Sequence, residues 1–420
     1  MRQRWKVALH CLPLVLAGCT STLFNVPEAA SDEQLYATAF PYYAESCALS
    51  EIRKKPGSGV DVEGAGPGGH AILYLNGVCR VRDAGYPEIA LCPDEAVPGG
   101  LVPGGGVGLS VNAHYSNANW VATEGRDFVF RGGLARGEQL TRARYDRTQA
   151  DAKAMGILDG VKFHTTVFDD KPAGLSERDY MYEISVATDY ATGFGRDRYC
   201  ARVPLEREKM QEVVNYLNAL QEPYRAGRRE FEWDVLRNNC VHMIRNALAT
   251  VGLWRASPTD RFWLVAAFDF PVPKNEFVNL MRRTNDMPIA DPAALYKDNA
   301  ARAVLLQQGW IATRPGGLAE AEPAVQRNAL YDTALRLIFY DEPVFGNYQR
   351  HFDAIFSNPR YTDLRSNLVH FQNLYRNILA QRTPAAGAAE AAFQQRYYDH
   401  IEAEQAKLEQ TLAALPGARR

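Results

Sequence analysis

The chain has 420 residues, of which 46% are hydrophobic, enough for one large core or for two to three domains of about 100–200 residues each. The net charge is −2, with 47 lysines and arginines against 49 aspartates and glutamates, and no long basic tract favours a nucleic-acid partner. Beyond the N-terminus no run of about 18 apolar residues occurs, so no membrane-spanning helix is predicted.

The first nineteen residues have the pattern of a secretion signal. A basic stretch, MRQRWK, precedes a short apolar stretch, VALHCLPLV, and then LAGC. Leu16-Ala17-Gly18-Cys19 resembles the bacterial lipobox, where the signal is cut before the cysteine and that cysteine is acylated, for example with palmitate. The resemblance implies a lipoprotein anchored to a membrane through Cys19. We therefore expect a bacterial envelope protein, at the outer membrane and facing the periplasm.

The cysteine count bears on the chemistry of the mature chain. Seven cysteines less Cys11 and Cys19 leave five: Cys47, Cys79, Cys92, Cys200 and Cys240. An odd number in an oxidising compartment leaves at least one thiol without an intramolecular partner. If four of them pair, we predict that Cys240 is the free one. The alternatives are that Cys240 pairs with Cys200 or is simply a small buried hydrophobe.

The first elements after the signal surround a histidine. SDEQLYATAFPYYAESCAL predicts a short helix that Pro41 breaks, within a tether over residues 19–60. A glycine-rich stretch, GAGPGG, then leads through His70 into AILYL. Asn76-Gly77 is the strongest two-residue signal for a hairpin, with VCRVR as the returning strand. His70 therefore lies where a loop becomes a strand.

Further strands and one helix are predicted next. In LSVNAHYSNANWVA the polar residues Ser110, Asn112 and His114 alternate with apolar ones, which predicts a strand with one polar face. RDFVFRGG and YMYEISVATDY also favour strands. EREKMQEVVNYLNALQEPY has its apolar residues on one side and predicts an amphipathic helix ended by a proline.

The segment LRNNCVHMIRNALATVG, residues 236–252, predicts a helix with a cysteine in its first turn. Asn238 is the expected N-cap and Gly252 the expected C-cap. Unpaired N–H groups and the positive end of the helix dipole lie at that turn. Both favour an anion, so we expect the thiol of Cys240 to ionise more easily and to act as a nucleophile.

A reactive cysteine also needs a base. The histidines at 351, 370 and 400 lie in the helical tail, and His242 should point to another face of the helix. His70 follows small residues at the start of a strand, and such a backbone can approach a helix N-terminus closely. We therefore predict His70 as the base.

These two motifs resemble known thiol enzymes. NNCVHMIRNAL resembles the Asn-Cys-x-His-Phe helix of the lecithin:retinol acyltransferase-like families, and GGHAILYL resembles their histidine strand. Those families are circularly permuted relatives of the NlpC-type, papain-like enzymes, and here too the histidine precedes the cysteine. FEWDVLRNNCVHMIRNAL is also similar to the extracytoplasmic domain of bacterial enzymes that remodel lipoprotein acyl chains. Met243 departs from the retinol-type motif, which has an aromatic residue there.

The resemblance implies a fold and a set of roles. It implies an α+β, permuted papain-like domain in which an antiparallel sheet packs on the cysteine-bearing helix, with Cys240 as nucleophile and His70 as general base. A third polar residue on a following strand would orient the base, and we prefer His114 over Asp83. Asn239 could position the thiolate or an oxyanion, and the N–H of Cys240 is a natural oxyanion donor.

These expectations divide the chain and define two functions. The expected segments are a signal peptide over 1–18, a tether and N-terminal segment over 19–60, the thiol-enzyme domain over 61–255, a wrapping extension over 256–325 and a helical C-terminal region over 326–420. We expect a membrane-anchored cysteine hydrolase or acyltransferase acting on an amide or ester carbonyl of an acyl lipid, a lipoprotein acyl chain or a peptidoglycan peptide. The alternative is a non-catalytic envelope lipoprotein with a degenerate thiol fold.

Other site motifs point to no chemistry. GAGPGG matches a dinucleotide-binding pattern, but a strand follows it where a helix is needed. The spacing Cys240-x-His242 is too sparse for a zinc site, so we expect neither metal nor cofactor. Apolar stripes on the C-terminal helices, such as Leu364, Leu368 and Phe371, predict packing against the main domain or against a protein partner.

Overall fold

A computed structural model describes residues 32–61, 69–93, 105–268, 271–334, 347–385 and 387–416. These residues form a mixed α+β structure with an antiparallel sheet. The predictions for the signal peptide, for Cys19 and for most of GAGPGG lie outside the described residues. Among the helices within them, none is long and apolar enough to cross a membrane.

One six-stranded sheet organises the described chain. The strands are β1 (Tyr43–Leu49), β2 (His70–Asn76), β3 (Val78–Arg80), β4 (Ile89–Leu91), β5 (Gly106–Ser110), β6 (Val121–Glu124), β7 (Arg198–Pro204) and β8 (Leu318–Glu322). The main sheet has the order β6-β5-β2-β1-β7-β8, and every neighbouring pair is antiparallel. Strands β3 and β4 form a separate two-stranded sheet.

The described helices are α1 (Asp32–Ala39), α2 (Arg126–Arg131), α3 (Arg142–Ala154), α4 (Glu177–Ser185), α5 (Arg207–Arg225), α6 (Cys240–Thr250), α7 (Trp263–Phe268), α8 (Pro273–Asn285), α9 (Pro292–Lys297), α10 (Asn299–Gln308), α11 (Tyr348–Ser357), α12 (Pro359–Thr362), α13 (Leu364–Ala380) and α14 (Ala388–Ala414). The helices predicted in EREKMQEVVNYLNALQEPY, within residues 236–252 and along the stripe of Leu364, Leu368 and Phe371 are confirmed as α5, α6 and α13. Pro223 does not end α5, which continues to Arg225.

Helices cover both faces of the sheet. Side chains alternate between the faces along a strand, so Ala71 and Leu73 of β2 lie on one face and Ile72 and Tyr74 on the other. The face of Ala71 packs on α5, α6 and α8. The face of Ile72 packs on α1 and α2. The cysteine-bearing helix α6 therefore lies on the Ala71 face, in contact with β2.

The C-terminal helices have a core of their own. Helices α13 and α14 pack on each other and on α9 and α10, with Phe371, Tyr375, Phe393 and Tyr397 buried between them. The apolar stripes predicted on these helices are therefore covered by the chain itself.

The predicted β2–β3 hairpin is wrong. Gly77 has the positive φ of a turn residue, +84°. However, β2 already pairs with β1 along one edge and with β5 along the other. No edge of β2 remains for the following strand, so β3 pairs with β4 instead.

Two other predicted strands are helices. RDFVFRGG forms α2, which ends at Gly132 with φ +58°. YMYEIS lies within α4, whose N-terminus is capped by the Ser176 hydroxyl, which accepts the N–H of Asp179 at 3.0 Å. In both segments bulky side chains are buried on the helix, and the capping residues Gly132 and Ser176 outweigh the preference of those side chains for strands.

The disulfides confirm the prediction for the free cysteine. Cys47 is bonded to Cys200, directly opposite it across β1 and β7, and Cys79 is bonded to Cys92. Cys240 is free, so its pairing with Cys200 is excluded.

The segments expected on either side of the enzyme domain contribute strands to the sheet. Strand β1 comes from the expected tether and lies between β2 and β7. Strand β8 comes from the expected wrapping extension and forms the far edge of the sheet, beside β7. The main sheet therefore draws on residues from both sides of the expected boundaries.

Candidate active site

Helix α6 begins one residue later than predicted, and Asn239 is its N-cap. The Asn239 Oδ1 atom accepts the N–H groups of Val241 at 2.9 Å and His242 at 3.2 Å. In return, the His242 Nδ1 atom accepts the N–H of Asn239 at 3.2 Å, which completes a capping box. Asn238, the predicted cap, donates instead to the Glu232 carbonyl at 2.9 Å. Cys240 is therefore the first residue of the helix.

The Asn239 side chain is also fully occupied. Its Nδ2 atom donates to the carbonyls of Val235 at 2.8 Å and Pro271 at 3.1 Å. Because both ends of the amide are engaged, its visible task is to hold the helix start and two neighbouring segments together. In this arrangement the amide has no donor left over for an oxyanion.

The Cys240 thiol is buried against the beginning of β2. The residue is 7% exposed, and the backbone N–H of Ala71 points at its sulfur. Burial raises the pKa of the thiol to about 11, although the N–H groups of Ala71 and Cys240 and the Arg196 guanidinium act in the opposite direction. The prediction of a lowered thiol pKa is wrong, because the loss of water outweighs the helix N-terminus.

His70 is the first residue of β2 and begins a chain of buried polar groups. Its Nε2 atom lies 3.0 Å from the Ser110 Oγ atom. The Ser110 hydroxyl donates to Asp189 Oδ1 at 2.8 Å, and Asn112 Nδ2 donates to Asp189 Oδ2 at 3.1 Å. Because the Ser110 hydroxyl gives its proton to Asp189, its oxygen can accept a hydrogen bond from Nε2–H of His70. In that tautomer Nδ1 carries no proton and is the basic nitrogen of the ring.

Burial holds this imidazole neutral. It lowers the pKa of His70 to about 3, aided by the nearby Arg196 guanidinium and opposed by the Thr188 carbonyl. Burial also raises the pKa of Asp189, while the hydrogen bonds from Ser110 and Asn112 act to lower it. At neutral pH the thiol is therefore protonated and the imidazole neutral.

The two groups lie on opposite faces of the sheet, at the beginning of β2. The pairing of Ile72 with Ser110 places His70, Ile72 and Ser110 on one face of the sheet, whereas α6 packs on the opposite face. The sulfur contacts the N–H of Ala71, the residue that follows His70. No hydrogen bond of the described residues joins the Cys240 sulfur to the His70 ring, so the shared feature is the beginning of β2.

Two buried cations lie close to this strand end. Arg196 is 1% exposed, donates to the carbonyls of Ala187 and Ser50, and acts on the pKa of both His70 and Cys240. Gly69 has φ +70°, and a Cβ there would lie 2.3 Å from the Leu49 carbonyl oxygen and 3.7 Å from Lys274 Cε. Burial lowers the pKa of Lys274 to about 8. A glycine before His70 is thus a packing requirement.

The group that contacts His70 is Ser110, and neither residue expected in that role does so. The strand ends at Ser110, and the His114 ring packs on Phe163 with ring centroids 5.7 Å apart, beside a different cavity. Asp83 lies on an exposed one-turn helix, residues 82–84. Ser110 was visible in the sequence as a polar residue of the same alternating stretch. Asp189 and Arg196 carried no comparable signal.

The described residues also contain one cluster with metal-ligand chemistry. Glu45, Cys47 and Cys200 have their ligand atoms within 4.8 Å of one another. The two sulfurs are joined in a disulfide, so no thiolate is left there to bind an ion.

Comparisons with models of protein families, with curated proteins and with solved structures found no match to this chain. The geometry of the site and the sequence motifs are therefore the basis for any functional proposal.

Proposed function

We propose that this chain is a cysteine hydrolase or acyltransferase with a permuted papain-like arrangement, in which Cys240 is the nucleophile and His70 the general base. The observation that carries the proposal is the free Cys240 thiol at the capped start of α6, with the N–H of Ala71 on its sulfur, one residue after His70. A histidine strand beside a cysteine helix is what the sequence resemblance implies.

The chemistry follows from the neutral resting state. Nδ1 of His70 takes the thiol proton as the sulfur attacks an amide or ester carbonyl, because a thiol with a pKa of about 11 is not ionised beforehand. The sulfur–carbon bond forms, and the leaving amine or alcohol departs with the proton from His70. Water or a second acceptor then resolves the thioester, and Cys240 regains its proton.

Ser110 and Asp189 take the orienting role that we had expected of His114 or Asp83. Ser110 receives Nε2–H and passes the hydrogen bond to Asp189, which keeps Nδ1 unprotonated and fixes the ring. The N–H groups of Cys240 and Ala71 are the proposed oxyanion donors, since both already point at the sulfur.

The proposed location and substrates come from the N-terminal motif. Acylation at Cys19 would hold the enzyme on the bacterial envelope, at the outer membrane and facing the periplasm. There it would meet acyl lipids, lipoprotein acyl chains and peptidoglycan peptides, and each of these has an ester or amide carbonyl.

The second candidate is a non-catalytic envelope lipoprotein that uses this fold for binding. It is favoured by the burial of both groups, because a thiol and an imidazole that are each 7% exposed do not meet a substrate in the resting state. The same burial is expected of a structural cysteine.

A trapping experiment separates the two. The full chain is incubated with the p-nitrophenyl ester of a fatty acid and with an N-acyl peptide, and mass spectrometry locates any hydroxylamine-sensitive acyl group. We expect a thioester on Cys240, none in Cys240→Ser, and at least a hundredfold slower formation in His70→Gln. The matched control His114→Gln should keep most of the wild-type rate. Acylation that proceeds unchanged in His70→Gln, or no thioester with either probe, would instead favour the binding protein.

A further inference from the structure

A cluster of exposed apolar side chains lies on two short segments, one before and one after α6 in the chain. Eight large hydrophobic side chains are exposed among the described residues, and six of them belong to two short segments. These six, which we name the apolar rim, are Trp233, Val235, Phe262, Trp263, Leu264 and Val265. The other two are isolated, at Leu306 and Val369. Isolated apolar residues are normal on a protein surface, whereas a cluster marks an interaction site.

Both segments are attached to the start of α6. The Asn239 amide, next to the thiol, donates to the carbonyls of Val235 and Pro271. Further along α6, Asn246 accepts the N–H of Ser257 at 2.6 Å and donates to its carbonyl at 3.0 Å. Ser257 and Pro271, which precede and follow residues 262–265 in the chain, are therefore each hydrogen-bonded to α6 or to its N-cap residue.

The rim is exposed around a complete helical turn. Residues 262–265 are four consecutive apolar residues, each 45% exposed or more. Successive residues of a helix are about 100° apart, so these four leave no polar side to the turn. The rings of Phe262 and Trp263 touch, with centroids 6.1 Å apart. With Trp233, these aromatics expose on the order of 300 Å².

We propose that the apolar rim inserts into the surface of a phospholipid bilayer. A fluid acyl layer surrounds a turn that is apolar on all sides, whereas a groove in a folded protein contacts one face of it. Tryptophan and phenylalanine are the side chains that accumulate at the membrane interface. Arg255, with 67% of its side chain exposed and 3.9 Å from Asp298, lies two residues before Ser257 and can meet lipid phosphates.

The N-terminal segment is long enough for this contact. Twelve residues lie between Cys19 and Asp32, the first residue of α1. Such a segment spans at most about 45 Å. The radius of gyration of a globular chain of this size is about 22 Å. A lipid on Cys19 therefore permits the domain to turn the rim towards the bilayer. The idea that docking also delivers acyl chains to the thiol rests on the proposed function, but the docking itself does not.

Flotation with vesicles tests the docking. The probe is a vesicle of phosphatidylethanolamine and phosphatidylglycerol, and the full chain carries Cys19→Ser so that no lipid anchor contributes. We expect this chain to float with the vesicles and its tryptophan emission to shift to the blue. The variant with Phe262→Gln and Trp263→Gln should partition at least tenfold less. The matched control with Leu306→Gln and Val369→Gln, which loses two apolar side chains of 41% and 40% exposure, should float like the parent.

Three results overturn the proposal. They are a parent chain that does not float, a rim variant that floats equally well, and a rim-dependent self-association in sedimentation without flotation, which would assign the rim to a second copy. Adding Cys240→Ala to the parent separates this proposal from the proposed function. Flotation should remain in that variant, and it should remain even if no thioester is ever trapped on Cys240.

Discussion

Two clusters of buried polar groups lie on one face of the sheet, at opposite ends of the β1–β2 pair. At one end, Glu45 lies opposite Tyr74 and is held by Arg126 and Arg202. At the other end, His70 lies opposite Leu49 and is bonded to Ser110. Four residues along the strand, about 14 Å, separate them.

Burial has opposite results at the two ends. Arg126 donates to both Glu45 oxygens, at 3.0 and 2.9 Å. Burial alone would raise the pKa of Glu45, but the guanidinium groups of Arg126 and Arg202 hold it far below its usual range. His70 has a hydroxyl partner and no anion in contact, so burial removes its charge. A buried carboxylate with arginine partners, such as Glu45, stays charged at all ordinary pH values, as a structural ion pair requires. A buried imidazole with only a hydroxyl partner, such as His70, stays neutral and can accept a proton, as a general base requires.

A substitution at Glu45, the end of the strand pair with arginine partners, should give the largest loss of stability. Glu45→Gln removes the fully buried carboxylate, and breaking a buried ion pair costs about 3–5 kcal/mol. We expect about 3 kcal/mol, the lower end of this range, because Arg126 and Arg202 keep their contacts with Glu320. Urea unfolding should show a decrease of this size in the free energy of unfolding. The matched control is Glu124→Gln, which breaks an exposed pair with Arg82 and should cost less than about 1 kcal/mol. Equal losses in the two variants would mean that the paired end is not special.

The Cys240 thiol, which lies near the His70 end of β2, should react slowly with thiol reagents. With a pKa of about 11, Cys240 has roughly 300-fold less thiolate at pH 7.5 than a free cysteine. Iodoacetamide labelling should therefore be slower by about that factor and should rise about tenfold per pH unit up to pH 10. A plateau near pH 7 would show instead that the helix N-terminus outweighs burial.

The comparison also explains which parts of the site could be predicted from the sequence. The elements carrying Cys240 and His70 were readable because each depends on local signals, namely an asparagine cap before an apolar stripe and a glycine before a strand. The free state of Cys240 followed from an odd cysteine count. The pKa of its thiol did not, because burial depends on packing by distant elements.

The fold shows the same division between local and distant causes. Helices with clear stripes, such as α5 and α13, were correct. The β2–β3 hairpin was not, because β1 and β5 occupy both edges of β2 and pairing between distant strands leaves no local pattern. Asp189, in a stretch that looked like a strand, reaches the site only because α4 and the turn after it bring it beside Ser110.

The two ends should separate in their response to pH. The pKa of His70 is about 3 in the folded chain and about 6.5 unfolded, so its stabilisation is present above pH 6.5 and is lost as pH falls towards 3. This amounts to about 2 kcal/mol between pH 6.5 and 5. Glu45 also has a lowered pKa, so its stabilisation is lost only below about pH 4.5.

Chemical unfolding at several pH values measures this difference. His242 and His400, each with a pKa lowered to about 4, add to the slope in the same direction. The pKa of His370 is lowered too, by burial and by the Arg360 guanidinium. His70→Gln should therefore reduce the slope between pH 6.5 and 5 without abolishing it, and leave the decline below pH 4.5 in place. An unchanged slope would show that His70 is charged in the folded chain.

The smallest effect is expected where the neutral chain of hydrogen bonds is cut. Ser110→Ala leaves His70 Nε2 and Asp189 Oδ1 each without this partner, and an unmade buried hydrogen bond costs about 1–3 kcal/mol. Asn112 still donates to Asp189, so we expect the lower end of that range in urea unfolding. Ser116→Ala, which removes a more exposed hydroxyl bonded to the Lys162 carbonyl, is the control and should cost less than about 0.5 kcal/mol. Because Ser110 also orients the ring, its loss should slow acylation of Cys240 more than it lowers stability, and equal changes in both would reduce Ser110 to a packing role.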